Sequence, residues 1–211
     1  MAYQEKVAQE ISCMERMNII ERTTSSYINP IVPVIKKSGE IRLCLDARKL
    51  NSIIVPDYEC NRGVNELLSK AKNCKWLSSL DLTSSYWQVQ LTPESRPYTS
   101  FQFRGKTYQY VVTPFGISTS QAALVRALDQ VFKDKVEDFT MIYVDDISVM
   151  SPNFDTHLQH LEEVFECLSQ ANMTVKFSKS LFCRDSVPFL GYTLTTSGLE
   201  MDQSRVELKQ Y

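Results

Sequence analysis

The sequence predicts an α+β fold built on a split β-α-β core, and three observations predict it. From residue 76 onward the apolar runs follow the order strand, hairpin, helix, strand–strand, helix, strand. Two of those runs, Phe139–Val144 and Ile147–Met150, are separated only by Asp145-Asp146, the spacing of a tight hairpin. The 211 residues are 43% hydrophobic and 23% charged, enough to bury a core in one domain or in two subdomains, and a poor composition for disorder.

Taken along the chain, Val7, Ile11, Met14 and Asn18/Ile19 recur at helical spacing and predict a helix over 3–21. Thr23 to Pro30 reads as a loop. Ile31–Ile35 and Ile41–Leu45 flank Lys36-Lys37-Ser38-Gly39-Glu40, a hairpin with a basic tip, and Pro33 demotes its first strand to an edge. Trp76–Leu82 reads as a mostly buried strand that contains Asp81 near its end. Tyr98–Phe103 and Thr107–Val112 form a second hairpin around Arg104-Gly105-Lys106. Ser118–Phe132 is a helix with Leu124, Val125, Leu128 and Phe132 on its apolar face. Asp155–Ala171 is another, with Leu158, Leu161, Val164, Phe165 and Leu168 inward and Glu162, Glu163 and Glu166 solvated. Val175–Phe177 and Phe189–Leu194 close the pattern as strands, with Ser197-Gly198 a turn. From residue 76 this is a ferredoxin-like order, and it sets the end of the first strand beside the Asp145-Asp146 hairpin.

Composition excludes several classes. There is no apolar run long enough to span a bilayer, and the polar start Met1–Glu10 is no secretory signal. Six scattered Cys without a C-x-x-C pair, and His only at 157 and 160, argue against a zinc site or a disulfide framework and for a reducing compartment. The two His read as surface residues. The net charge of −2 hides an asymmetry: residues 1–80 hold 12 basic against 9 acidic side chains, residues 81–211 hold 11 against 16. A protein that only clung to phosphate would be clearly basic; a mildly basic front with acidic groups behind it suits phosphate and cations together.

The chemistry centres on Tyr143-Val144-Asp145-Asp146. Alone, two carboxylates at a hairpin tip read equally well as a solvated turn. Asp81 shifts the balance, because the predicted layout brings it to the same tip, and three crowded carboxylates repel one another unless a cation sits among them. Hard oxygen ligands with open positions suit Mg²⁺, and two such ions can activate a hydroxyl and stabilise a leaving pyrophosphate.

Five stretches carry a resemblance: Pro33–Asn51 (PVIKKSGEIRLCLDARKLN), Leu77–Gln90 (LSSLDLTSSYWQVQ), Thr113–Ser118 (TPFGIS), Tyr143–Asp146 (YVDD) and Phe189–Tyr192 (FLGY). In order and spacing they resemble the reverse transcriptase domain of gypsy-like LTR retrotransposons, over nearly the whole chain. The resemblance implies a polymerase palm with fingers, the fingers over about 1–56 and 89–119 and the palm over about 57–88 and 120–198. It implies RNA- and DNA-directed DNA synthesis from dNTPs on a primed template, with two Mg²⁺ (Mn²⁺ as a substitute). Asp81, Asp145 and Asp146 are the implied catalytic carboxylates and metal ligands, with the backbone carbonyl of Leu82. Lys37 and Arg42 are implied to grip the triphosphate; which of Lys36 and Lys37 does so stays open, and a basic turn tip is otherwise an ordinary soluble turn. Tyr86 is implied to lie under the sugar and exclude a 2′-hydroxyl, against the plain reading of a core Tyr beside Trp87. Phe115 and Gly116 are implied to line the nucleotide pocket, and Leu190-Gly191 to position the primer end; the plain readings are a turn after Pro114 and a strand-end Gly.

The chain departs from the family pattern at Gln121, Leu124 and Val125, at Ser38 and at Ala47. Residues 199–211 read as the start of a segment toward a thumb, so the chain is expected to be a fragment of a longer polyprotein with thumb, RNase H and integrase partners. The expected setting is cytoplasmic, with a virus-like particle or the nucleus as alternatives, and no membrane partner. The rival expectation is a degenerate or repurposed domain that binds nucleic acid without catalysis.

Overall fold

The computed structural model describes residues 2–35, 39–57, 74–189, 192–195 and 198–201. The chain forms two compact units, Met1–Asp57 with Ser84–Ala123, and Tyr58–Thr83 with Leu124–Tyr211. Among the described residues no helix is long and apolar enough to cross a membrane.

In the first unit, α1 (Ala2–Arg16) buries Val7, Ile11 and Met14, the apolar positions the spacing picks out. It ends earlier than the predicted residue 21. Asn18 takes φ +57°, while the Ile19 and Asn18 N–H groups close back on the Met14 and Glu15 carbonyls at 2.9 and 3.2 Å. That is a Schellman cap with Asn in the left-handed position, and it turns the chain into β1 (Ile20–Arg22). β2 (Ile31–Ile35) and β3 (Ile41–Leu45) form the predicted hairpin, with Val34 opposite Arg42. A short α2 (Arg48–Asn51) follows. β5 (Phe101–Phe103) and β6 (Lys106–Tyr110) pair as a hairpin, and β1 adds to β6. Ile11, Met14, Ile20, Leu43, Phe101 and Tyr110 make the centre of this unit's core.

The second unit is built on β4 (Trp76–Asp81), β7 (Thr140–Tyr143), β8 (Asp146–Ser151) and β9 (Leu181–Arg184), in sheet order β7-β8-β4-β9 and antiparallel throughout. α3 (Ser120–Phe132) enters this unit at Leu124, and α4 (Phe154–Gln170) packs on β8 and β4. The helices and strand order are those of the predicted split β-α-β core. On one face Leu77, Met141, Met150, Val187, Phe189 and Leu194 cluster. β10 (Ser186–Phe189), β11 (Tyr192–Thr195) and β12 (Gly198–Met201) form a separate antiparallel sheet.

Three expectations are corrected. Val175–Phe177 is no strand: Val175 makes a single bridge to Leu82, and the Lys179 and Ser180 N–H groups then turn the chain back on Lys176 and Phe177. The run Phe189–Leu194 is not one strand, because Phe189 and Tyr192 face each other as the inner pair of two antiparallel strands. His157 is no surface residue; it is 0% exposed, while Leu158, expected inward, is 48% exposed. The inward stripe of α4 runs through 157, 161, 164 and 168; it keeps Leu161, Val164 and Leu168 of the stripe read from sequence and takes His157 in place of Leu158, because two buried serine hydroxyls receive the imidazole.

Candidate active site

Asp81 ends β4 directly opposite Asp146, the first residue of β8. β4 and β8 are central strands, and this pairing continues through five further register pairs, from Leu80↔Ile147 back to Trp76↔Ser151. Tyr143 pairs with Asp146, which leaves Val144-Asp145 as a two-residue hairpin tip. Val144 sits at φ +57°, a left-handed conformation that a β-branched residue adopts only under constraint. The strain falls on the residue before Asp145.

The 176–180 turn holds Asp81 on its other edge. The Lys176 N–H donates to the Asp81 carbonyl at 2.7 Å, and the Asp81 N–H donates to Ser180 Oγ at 3.1 Å. Lys179 Nζ lies 3.4 Å from Asp81 Oδ2. The bonds flanking the Leu82–Val175 bridge use Thr83 N–H and Asp81 C=O, so the Leu82 carbonyl takes no part in it. Asp81, Asp146 and Lys179 line an open cleft of about 400 Å³ with Ser79, Leu181, Pro188 and Phe189. Desolvation raises the pKa of Asp146 above the usual carboxylate value, and the charges of Asp145 and Asp81 push it the same way against the pull of Lys179.

These groups fit a hard divalent cation. The donors are carboxylate oxygens, their charges crowd, the cleft is open, and an ammonium group already lies against one of them. The carboxylates do not form a closed cage: among the described residues no three His, Cys, Asp or Glu side chains are grouped as a complete metal site. A cation here would complete its shell with water or substrate oxygens.

The remaining candidates lie in the first unit. The Arg42 guanidinium stacks over the Phe115 ring at 4.5 Å, and Tyr86 meets the same ring edge-on at 5.3 Å. Tyr86 is half-buried on a one-turn helix over Ser85–Gln88, so it is not a wholly buried core Tyr. Gly116 has φ +115°, and a Cβ there would overlap the carbonyl oxygen of Leu45. The close approach that requires Gly is therefore to β3. Asn51 clamps this loop from α2: its Nδ2 donates to Gly116 O at 2.8 Å, and its Oδ1 accepts from Ser118 N at 2.9 Å. Lys37, Leu190 and Gly191 lie outside the described residues.

Sequence reasoning missed Asn51 as a clamp and the 176–180 turn as the seat of Asp81. Asn51 sits within a stretch whose pattern is visible, yet nothing local says what its amide reaches. The turn's Lys and Ser are ordinary polar residues until the fold places them.

A family model described as "Reverse transcriptase (RNA-dependent DNA polymerase)" matches residues 34–194. The chain is 32% identical to the "Retrovirus-related Pol polyprotein from transposon gypsy" of Drosophila melanogaster across 100% of this chain and 21% of that protein. It is equally 32% identical to the corresponding polyprotein from transposon opus of Drosophila melanogaster, over 95% of this chain and 20% of that one. Among solved structures, a foamy viral protease-reverse transcriptase in complex with double-stranded DNA superposes with a TM-score of 0.88 at 27% identity, over 98% of this chain and 36% of that chain. The same viral protein in complex with an RNA/DNA hybrid gives 0.87 at 26% identity, over 100% of this chain and 28% of that chain. The fold and the paired carboxylates define a polymerase palm with fingers. The chain belongs to the reverse transcriptase family, on the side of gypsy-like retrotransposons, and it spans about a fifth of the length of the Drosophila polyproteins it matches.

Proposed function

We propose that this chain is the fingers–palm part of an RNA-directed DNA polymerase that joins deoxynucleotides to a primer 3′-hydroxyl on an RNA or DNA template. The observation that carries the proposal is the register pairing of Asp81 with Asp146, beside Asp145 at a strained hairpin tip. Asp81 and Asp145, with Asp146 and the Leu82 carbonyl beside them, would hold two Mg²⁺ ions, or Mn²⁺ in their place. When bound, such ions supply activation of the attacking hydroxyl and charge neutralisation on the leaving pyrophosphate.

The protein's own groups do the rest. The 176–180 turn fixes the Asp81 backbone through both its polar groups and sets Lys179 against its carboxylate before any ligand arrives. Arg42, pre-stacked on Phe115, presents a planar fork to the triphosphate, and Lys37 shares that grip. Tyr86, propped on Phe115, fills the space a 2′-hydroxyl would need. Gly116 keeps the Phe115 loop against β3, and Leu190-Gly191 position the primer end. Template and primer are held through backbone and base stacking without sequence readout. The remaining polyprotein domains are the expected partners.

Primer extension on an RNA template with Mg²⁺, by the chain joined to a thumb domain, tests this. The parent sequence should extend the primer, and Asp145→Asn should lose at least about a hundredfold in rate. Equal extension by both refutes the carboxylate assignment. No extension by either, with RNA–DNA binding that falls steeply with salt, supports the non-catalytic reading instead.

A further inference from the structure

We propose that His157 is a positioning residue for the carboxylate site, setting from the opposite face of the sheet the register at which β4 and β8 present Asp81 and Asp146. The inference rests on the polymerase reading above. Side chains alternate across β4, so Ser79 and Asp81 line the cleft while Ser78 points the other way, toward α4. There the imidazole of His157, fully buried, bridges two strands: its Nε2 lies 2.7 Å from Ser78 Oγ on β4, and its Nδ1 lies 2.8 Å from Ser151 Oγ on β8.

The network continues on both sides. Ser78 Oγ accepts the Cys183 N–H at 3.0 Å. That bond anchors β9 where its pairing with β4 shifts register and Cys183 takes φ +51°. Ser151 Oγ also lies 2.8 Å from His160 Nδ1, which lies 3.2 Å from the Met150 carbonyl. A neutral imidazole carries one hydrogen, so His157 donates to one of the two serine hydroxyls and accepts from the other. One neutral imidazole thus ties α4 to β8 and β4, and through Ser78 to β9. A slip of β4 against β8 would leave these buried groups without partners, a penalty an apolar residue at 157 would not impose.

Binding of Mn²⁺ alone, followed by its electron paramagnetic resonance signal, tests the inference on the chain and its variants. His157→Phe removes both hydrogen bonds at similar volume and should weaken Mn²⁺ binding about tenfold while unfolding stays cooperative. His157→Gln, whose amide can still reach Ser78, should recover part of the loss. In the metal-free chain, amide exchange at Asp81 and Asp146 should quicken about tenfold in His157→Phe, ahead of the rest of the second unit. Should His157→Phe fail to fold, Ser151→Ala, which deletes one hydroxyl, carries the same expectation in smaller measure. If Asp145→Asn abolishes Mn²⁺ binding while His157→Phe and Ser151→Ala bind it as the parent does, this inference alone falls. If Asp145→Asn binds Mn²⁺ unchanged, the carboxylate assignment falls and takes this inference with it.

Discussion

Replacing Gly116 by Ala should damage the Phe115 loop far more than a surface Gly→Ala change damages its own turn. At φ +115°, an L-residue is strained whatever surrounds it. The added Cβ would overlap Leu45 O and lie 3.2 Å from Leu45 C, both backbone atoms of β3 that no side-chain rotation can clear. Moving the loop away breaks the 3.0 Å bond from Leu45 N–H to Phe115 O. The backbone strain, the overlap and the lost hydrogen bond together give about 3–5 kcal/mol, a large share of a domain's stability. Gly105 supplies the control. It too has positive φ, at +72°, but a Cβ there meets nothing within 4 Å, so Gly105→Ala should cost only the conformational penalty of about 1–2 kcal/mol. Urea unfolding followed by tryptophan fluorescence reads the difference, since Trp87 lies 6.1 Å from the Phe115 ring. Equal midpoints for the two variants would refute the claim that Gly116 exists to let the loop meet β3.

Other outcomes follow from the same structure. Burial lowers the His157 pKa from 6.5 to about 4, with His160 adding to the effect. Between those values the unfolded chain binds a proton that the folded chain refuses, so stability should fall as pH drops from about 6.5 to 4, by about 3 kcal/mol in all; urea midpoints across that range check it, and a flat profile contradicts it. Asp146→Asn should raise the metal-free urea midpoint, because it removes a charge that desolvation and two neighbouring carboxylates disfavour, even as it weakens Mn²⁺ binding. Arg42→Lys keeps the charge but loses the planar stack on Phe115, so KM for dNTP should rise about tenfold in primer extension with kcat nearly unchanged.

Much of this arrangement is legible in the residues. A hairpin at this place and the β4–α3–β7–β8–α4 order follow from apolar periodicity, although the two-residue tip is Val144-Asp145 and not the expected Asp145-Asp146; that order places Asp81 beside the hairpin before any coordinate is known. Local pattern fails where partners distant in sequence decide the outcome. Imidazole is polar and reads as solvated; the hydroxyls of Ser78, 79 residues away, and of Ser151 make its burial affordable. The rest of the stripe stands: Leu161, Val164 and Leu168 are buried as the spacing predicts, and Leu158 yields its place to His157. The antiparallel pairing of Phe189 with Tyr192 is not announced by the apolar pattern, which reads as one run. The seat of Asp81 in the 176–180 turn depends on backbone bonds that any residue types could make.

The most direct test of the carboxylate site is a crystal structure of the chain with Mn²⁺ and a non-hydrolysable dNTP, read at the manganese absorption edge. The account predicts two anomalous peaks about 3.5–4 Å apart between the side chains of Asp81 and Asp145. Manganese elsewhere on the molecule, with the Asp81 carboxylate turned from the hairpin tip under saturating ion, would contradict it.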